Sequence, residues 1–173
     1  MKISYKPAKV WYLELLNPKA KDLKKEGFRI EIQKRINIHE YKQRYREVGE
    51  TWDWANRLVM DENLLQAHLD DAKNEIYYAY YQDEFCGYFE LDCHQQDIEL
   101  VYFGLSPKFI GKGLGKLLMQ AVFQKAASHN CPRLWLHTCE LDSPQALEFY
   151  LKNGFLIFDE KFEDQTIITE QKT

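Results

Sequence analysis

No apolar run approaches the ~18 residues that a membrane-spanning helix needs, and the start, M-K-I-S-Y-K-P-A-K, leads into neither an apolar segment nor a small-residue cleavage site. A cytoplasmic protein without a membrane partner is the expectation. Cysteine is scarce: Cys86, Cys93, Cys131 and Cys139 show no C-x-x-C spacing, and the chain is large enough to fold without staples, so they read as reduced packing residues. Positive charge is not in excess either. A formal net charge of -4 and a pI near 5.8 argue against a general nucleic-acid binder, which needs a basic face to displace counterions. Repeats, low-complexity tracts and Pro/Gly/Ser-rich linkers are absent, so 173 residues are read as one domain, 1–173. At 45% hydrophobic and 14% aromatic, the chain has the material for a core rather than the composition of disorder.

The apolar pattern alternates between two periods. V-W-Y-L-E-L-L at 10–16 and F-R-I-E-I-Q-K-R-I at 28–36 predict strands that pair as an N-terminal hairpin. A polar helix follows from Ile38 to Val48, with Gly49 as a left-handed stop. Asp61 is placed to cap a second helix whose stripe is Leu64, Leu65, Leu69 and Ala72, with His68 on the same face. E-I-Y-Y-A-Y-Y (75–81), F-C-G-Y-F-E-L (85–91) and I-E-L-V-Y-F-G-L (98–105) predict a three-strand meander closed by Ser106-Pro107. Leu114, Leu117, Leu118, Ala121, Val122 and Ala126 recur at three and four and predict a helix laid on the sheet. R-L-W-L-H-T (133–138) is a strand, Ser143-Pro144 opens a helix that Gly154 closes, and F-L-I-F-D-E-K-F with Q-T-I-I-T-E predicts a final strand pair. The fold class is therefore α/β, a mixed sheet with helices on its faces.

Between the meander and its helix lies I-G-K-G-L-G-K, 110–116. A Walker A loop would need glycine at Ile110 and Ser or Thr at Leu117; a dinucleotide fingerprint would need glycine at Lys116. Neither fits. Glycines at 111, 113 and 115 still let backbone N–H groups converge on an anion at a helix N-terminus, with Lys112 and Lys116 adding charge. The plainer alternative is a tight turn packed beneath a helix.

The run I-E-L-V-Y-F-G-L-S-P-K-F-I-G-K-G-L-G-K-L-L, followed about thirty residues later by S-P-Q-A-L-E-F-Y-L-K-N-G-F, resembles the GNAT superfamily of acetyl-CoA-dependent N-acetyltransferases. The likeness covers roughly Glu75 to Phe158. It implies a largely antiparallel twisted sheet flanked by helices, acetyl-CoA as cosubstrate, and an acceptor that is a small-molecule or peptide amine. It further implies a coenzyme site made of Gly111, Lys112, Gly113, Leu114, Gly115, Lys116 and Ser143, with backbone contacts from Phe103 and Leu105, beside a splayed strand. Ile110 stands where the family signature has Gln or Arg, and Ser143 where the second pattern often has Asn. Residues 38–72 resemble nothing in the shared core; residues 1–74 are expected to supply the acceptor side and 75–158 the coenzyme side. The sequence leaves open whether a second copy of the chain is a partner.

Acyl transfer to an amine needs a neutral nucleophile, a polarised carbonyl and a proton for the departing thiolate. Glu99 shares a strand face with Val101 and Phe103, and an apolar setting there would raise its pKa toward that of a base; the alternative is a solvent-facing or lysine-paired carboxylate. Some family members carry a base glutamate at this place. Tyr150 matches the family tyrosine that protonates or orients the thiolate, and is also compatible with a core role. Gly104 permits a bulge or a close approach. Trp52 and Trp54, with Glu50 and Asp53 beside them, suit a cationic acceptor as well as plain packing, and Glu90 is a second carboxylate candidate. The five histidines show no ligand spacing, so no metal is expected. A coenzyme A-binding regulatory or scaffold domain without turnover is the alternative to an enzyme.

Overall fold

The computed structural model describes residues 1–169. Seven strands form one sheet in the order β2-β3-β4-β5-β6-β1-β7, where β1 is Lys2–Leu16, β2 Phe28–Ile32, β3 Asn74–Tyr81, β4 Glu84–Asp92, β5 Ile98–Leu105, β6 Arg133–Cys139 and β7 Leu156–Thr169. All neighbours are antiparallel except β5 and β6. The mixed α/β class holds.

Helices cover both faces. On one, α4 (Leu114–Ser128) and α5 (Ala146–Lys152) pack through Leu118, Val122 and Tyr150 onto Phe89, Leu91 and Leu134. On the other, α1 (Ile38–Gly49) and α3 (Glu62–Asp70) bury Tyr41, Tyr45, Leu65 and Leu69 against Ile76, Tyr78 and Tyr88. This is why the meander is aromatic on both phases of its alternation: in β3, Tyr77 and Ala79 enter one core, Ile76 and Tyr78 the other. Among the described residues no helix is long and apolar enough to cross a membrane.

Several expectations are corrected. β1 and β2 are not a hairpin. β1 pairs with β6 and β7, while β2 pairs with β3 at the opposite edge. A hairpin needs a short loop; residues 17–27 instead cross beside α4, where the Lys21 backbone N–H donates to Gln120 at 2.6 Å. The final pair is one strand, β7, because nothing in 156–169 turns the chain and β1 offers a partner along its length; Glu170, the last residue of that predicted pair, lies outside the described residues. Leu64 is 65% exposed, and Ala72 lies beyond α3, which Asp61 does cap by accepting from the N–H groups of Asn63 and Leu64. Gly49 is not a left-handed stop: its φ is -104°, and the chain runs on into a 3-10 turn, Glu50–Trp52. Glycine is required there because a Cβ would stand 2.3 Å from the Trp54 ring. α5 starts at Ala146, with Ser143 holding the turn before it by accepting the Ala146 N–H at 2.9 Å.

Candidate active site

β5 and β6 run parallel and pair only at Ile98 with Leu134 and Glu99 with Trp135. They part because β5 carries a bulge: Glu90 of β4 faces Tyr102 and Leu91 faces Leu100, so Val101 is an extra residue. The sheet splits there into a cavity of about 830 Å³ walled by 100–105 of β5 and 136–139 of β6. Helix α5 lines it with aromatic faces, Phe149 stacking on Phe103 at 5.6 Å and Tyr150 meeting the same ring edge-on at 6.1 Å. The bulge lies at Val101 rather than Gly104; Gly104 serves a close approach, since a Cβ there would lie 2.6 Å from Val48.

At one end the cavity reaches Ile110 and Gly115 of the glycine loop. Gly111 and Gly113 hold φ of +84° and +76°, in the region that side chains disfavour, and nothing lies within 4 Å of where their Cβ atoms would be. Gly113 is the N-cap of α4 and supplies no side chain to it, and the first turn holds no acidic residue. A fifteen-residue helix therefore presents its first N–H groups uncapped, beside the exposed Lys112 and Lys116. Lys25, from the β1–β2 connection, joins them by donating to the Lys112 carbonyl at 3.1 Å. The arrangement is an open, positively biased cradle suited to a phosphate.

Glu99 sits at the apex of the split, the last β5 residue paired to β6. Burial, with the Asp92 charge adding to it, pushes its carboxyl up to about 7. Its nearest cationic-type neighbour is His137, whose Nε2 is 3.5 Å away and whose ring lines the cavity, whereas Glu99 itself stands behind that lining. Burial of Tyr150, and secondarily the Asp142 charge, raises its phenol well above the ordinary range.

The segment after α1 roofs the cavity. Trp54 packs against Tyr45 and Tyr102 at 5.5 and 5.0 Å, and its indole N–H donates to Asp142 at 3.3 Å. Asp142 also accepts from the Thr138 hydroxyl at 2.5 Å, so it ties the roof to the end of β6. Arg57, in the short helix α2 (Asn56–Val59), lines the cavity on one side and on the other donates to Glu90 at 3.2 Å. Glu90 is 2% exposed and is also held by Tyr41 and by His68 at 3.3 Å. Burial pushes its carboxyl up, but the His68 hydrogen bond, the Arg57 charge and the Tyr41 hydroxyl outweigh that and leave it below the usual carboxylate range.

A family model for the acetyltransferase (GNAT) family matches residues 35–155. The chain belongs to the GNAT acetyltransferase family. The match starts well before Glu75 and takes in α1 to α3, so residues 38–72 are corrected from lying outside the shared core to lying within the matched region. No curated protein matches in sequence. Among solved structures, a GNAT acetyltransferase from Elizabethkingia anophelis with acetyl-CoA bound is similar at 23% identity and a TM-score of 0.60, covering 78% of this chain and 80% of that one. An aminoglycoside acetyltransferase from an uncultured soil metagenomic sample, solved with sisomicin, is similar at 16% identity and a TM-score of 0.60, covering 74% and 88%. A Staphylococcus epidermidis protein of unknown function aligns over 94% of this chain at 17% identity and a TM-score of 0.63, and the chain spans 62% of its length. At these identities the likeness is one of fold.

Within this GNAT fold, Phe103, Leu105, Gly115, Ser143 and Tyr150 border one cavity. Gly111, Lys112, Gly113 and Lys116 do not line it; they are exposed positions next to Ile110 and Gly115, where the cavity reaches the loop, and the Leu114 side chain is fully buried, so only its backbone is available to the cradle. Trp52 and Trp54 line the roof. Glu90 is corrected as an acceptor contact: it is sealed beneath the roof with its oxygens already engaged. Sequence reasoning missed Arg57, His137 and Asp142. Only His137 left a trace, as a polar residue inside the strand pattern of 133–138.

Proposed function

We propose that the protein is an N-acetyltransferase that moves an acetyl group from acetyl-CoA directly to a primary amine. The observation that carries this is the continuity of one cavity from the uncapped α4 N-terminus, past the split of β5 and β6, to His137 beside Glu99. In this reading the coenzyme pyrophosphate sits on the loop amides of Gly111 to Lys116. The arm runs along the β5 backbone at Phe103 and Leu105, where the bulge has freed the strand edge from β6.

Glu99, with a carboxyl near 7, takes the proton of the acceptor ammonium through His137, which lines the cavity in front of it. The neutral amine attacks the thioester carbonyl, the C–N bond forms, the nitrogen gives up its extra proton to solvent, and collapse of the tetrahedral intermediate breaks the C–S bond. The coenzyme leaves as a thiolate. Its thiol titrates at about 8.5, far below the buried Tyr150 phenol, so Tyr150 acts by donating a hydrogen bond to the sulfur rather than by surrendering its proton outright. Trp52 and Trp54 offer aromatic faces to a cationic acceptor.

The test is a screen of amines, polyamines, amino acids, aminoglycosides and peptide N-termini for thiol release from acetyl-CoA, alongside calorimetric titration of acetyl-CoA. Saturable binding that Gly113→Val weakens by at least ~10-fold, together with sustained turnover on one acceptor, is expected. Binding without turnover on any acceptor would favour an inert coenzyme-binding domain. Absence of binding, or binding indifferent to Gly113→Val, would overturn the site.

A further inference from the structure

Away from the cavity, three ligand-type side chains from three elements converge. Glu75 stands near the start of β3, Cys93 directly follows β4, and His129 caps the C-terminus of α4. A carboxylate oxygen, the thiol sulfur and an imidazole nitrogen lie within 4.8 Å of one another. Ligand atoms at about 2.0–2.3 Å from one tetrahedral ion stand roughly 3.3–3.8 Å apart, so closure needs only small side-chain movements. α4 has fifteen residues, which puts this cluster roughly 22 Å along the helix from the glycine loop.

The surroundings resemble an ordered ligand set more than a chance ion pair. Glu75 contacts His129 at 2.8 Å through one oxygen, while its other oxygen accepts from the Tyr77 hydroxyl at 2.6 Å. An outer contact of that kind is what fixes a ligating carboxylate. The neighbouring His94 is different: each of its ring nitrogens is already engaged by a carboxylate, Asp92 at 2.6 Å and Asp71 at 2.7 Å. His129 has one carboxylate and one thiol before it.

We propose that Glu75, Cys93 and His129 form a binding site for zinc or a similar borderline-soft divalent cation, with its fourth position open to solvent beside the exposed His129. The sulfur, nitrogen and oxygen set selects against magnesium and calcium, which take oxygen ligands. Lys125, one turn earlier on α4, is engaged over the Tyr77 ring at 5.3 Å. A bound cation would pin the β3–β4 pair to the end of α4 and raise the melting temperature by mass action.

The test uses the full chain with Co2+ and Zn2+ as probes. One equivalent of Co2+ is expected to give a thiolate-to-cobalt charge-transfer band, and Zn2+ to displace it with one-to-one stoichiometry and raise the melting temperature. Cys93→Ser should abolish the band, and Glu75→Gln and His129→Gln should each weaken Zn2+ by at least ~10-fold. His94→Ala should leave both readouts in place. Apo melting curves of the variants, compared with that of the unsubstituted chain, separate lost ligands from lost fold. No band at one equivalent, a band that survives Cys93→Ser, or equal Zn2+ affinity in all variants would overturn the site.

Discussion

Glu90 on β4 and Glu99 on β5 are both carboxylates drawn into the sheet, and their surroundings push them in opposite directions. Glu90 meets an arginine, a histidine and a tyrosine hydroxyl, and keeps its charge although it is almost fully buried. Glu99 is less deeply buried, and the one basic side chain within 4 Å of it among the described residues is His137, at 3.5 Å; burial and the Asp92 charge raise its carboxyl to about 7. A buried carboxylate with enough donors is a structural strut. One left short of donors is ready to exchange a proton near neutrality. The roof over the cavity rests on the first, and the proposed chemistry on the second.

Removing the arginine breaks the contrast most severely. Arg57→Ala leaves Glu90 buried without its cation and should cost about 3–5 kcal/mol in urea unfolding. It should also loosen the roof, because the Arg57 guanidinium stands over the Tyr102 ring at 5.3 Å. Tyr41→Phe removes a single donor from the same carboxylate and should cost about 1.5–3 kcal/mol by the same measurement. If both variants unfold like the unsubstituted chain, Glu90 is not the strut described.

A smaller effect tests the opposite signs directly. The folded Glu90 carboxyl lies below its ordinary 4.5, so its contribution is present above that value and is lost as pH falls through the folded pKa. The folded Glu99 carboxyl lies above 4.5, so the unfolded chain gives up this proton first, and stability falls as pH rises from 4.5 to about 7. Glu99→Gln should therefore flatten the decline over that window and leave the acid limb unchanged. Chemical unfolding at a series of pH values reads both limbs; an unaltered slope in the variant would mean that Glu99 is solvated.

Much of this is legible in the sequence. The spacing of Leu114, Leu118 and Val122, the caps at Asp61 and Gly154, and the glycine loop are local features, fixed by residues a few positions apart. The placement of β1 is not, because a strand's partner depends on where the connection leads; 17–27 carries no marker of its path beside α4. Gly49 was misread for a related reason: its need is set by the Trp54 ring, not by its own φ. The site divides in the same way. The loop and Tyr150 follow from motifs, but Arg57 and Asp142 join the cavity only through the packing of the roof. Glu90 and Glu99 look alike as letters, since what distinguishes them is a set of donors from α1, α2 and α3.

The most direct measurement is the pH dependence of kcat/KM for the acceptor found by the screen, from about pH 5 to about pH 9, in the unsubstituted chain and in Glu99→Gln. The rate is expected to climb through an apparent pKa near 7, with that limb gone and the rate lowered ~100-fold or more in the variant. The same limb and the same rate in Glu99→Gln would contradict Glu99 as the base.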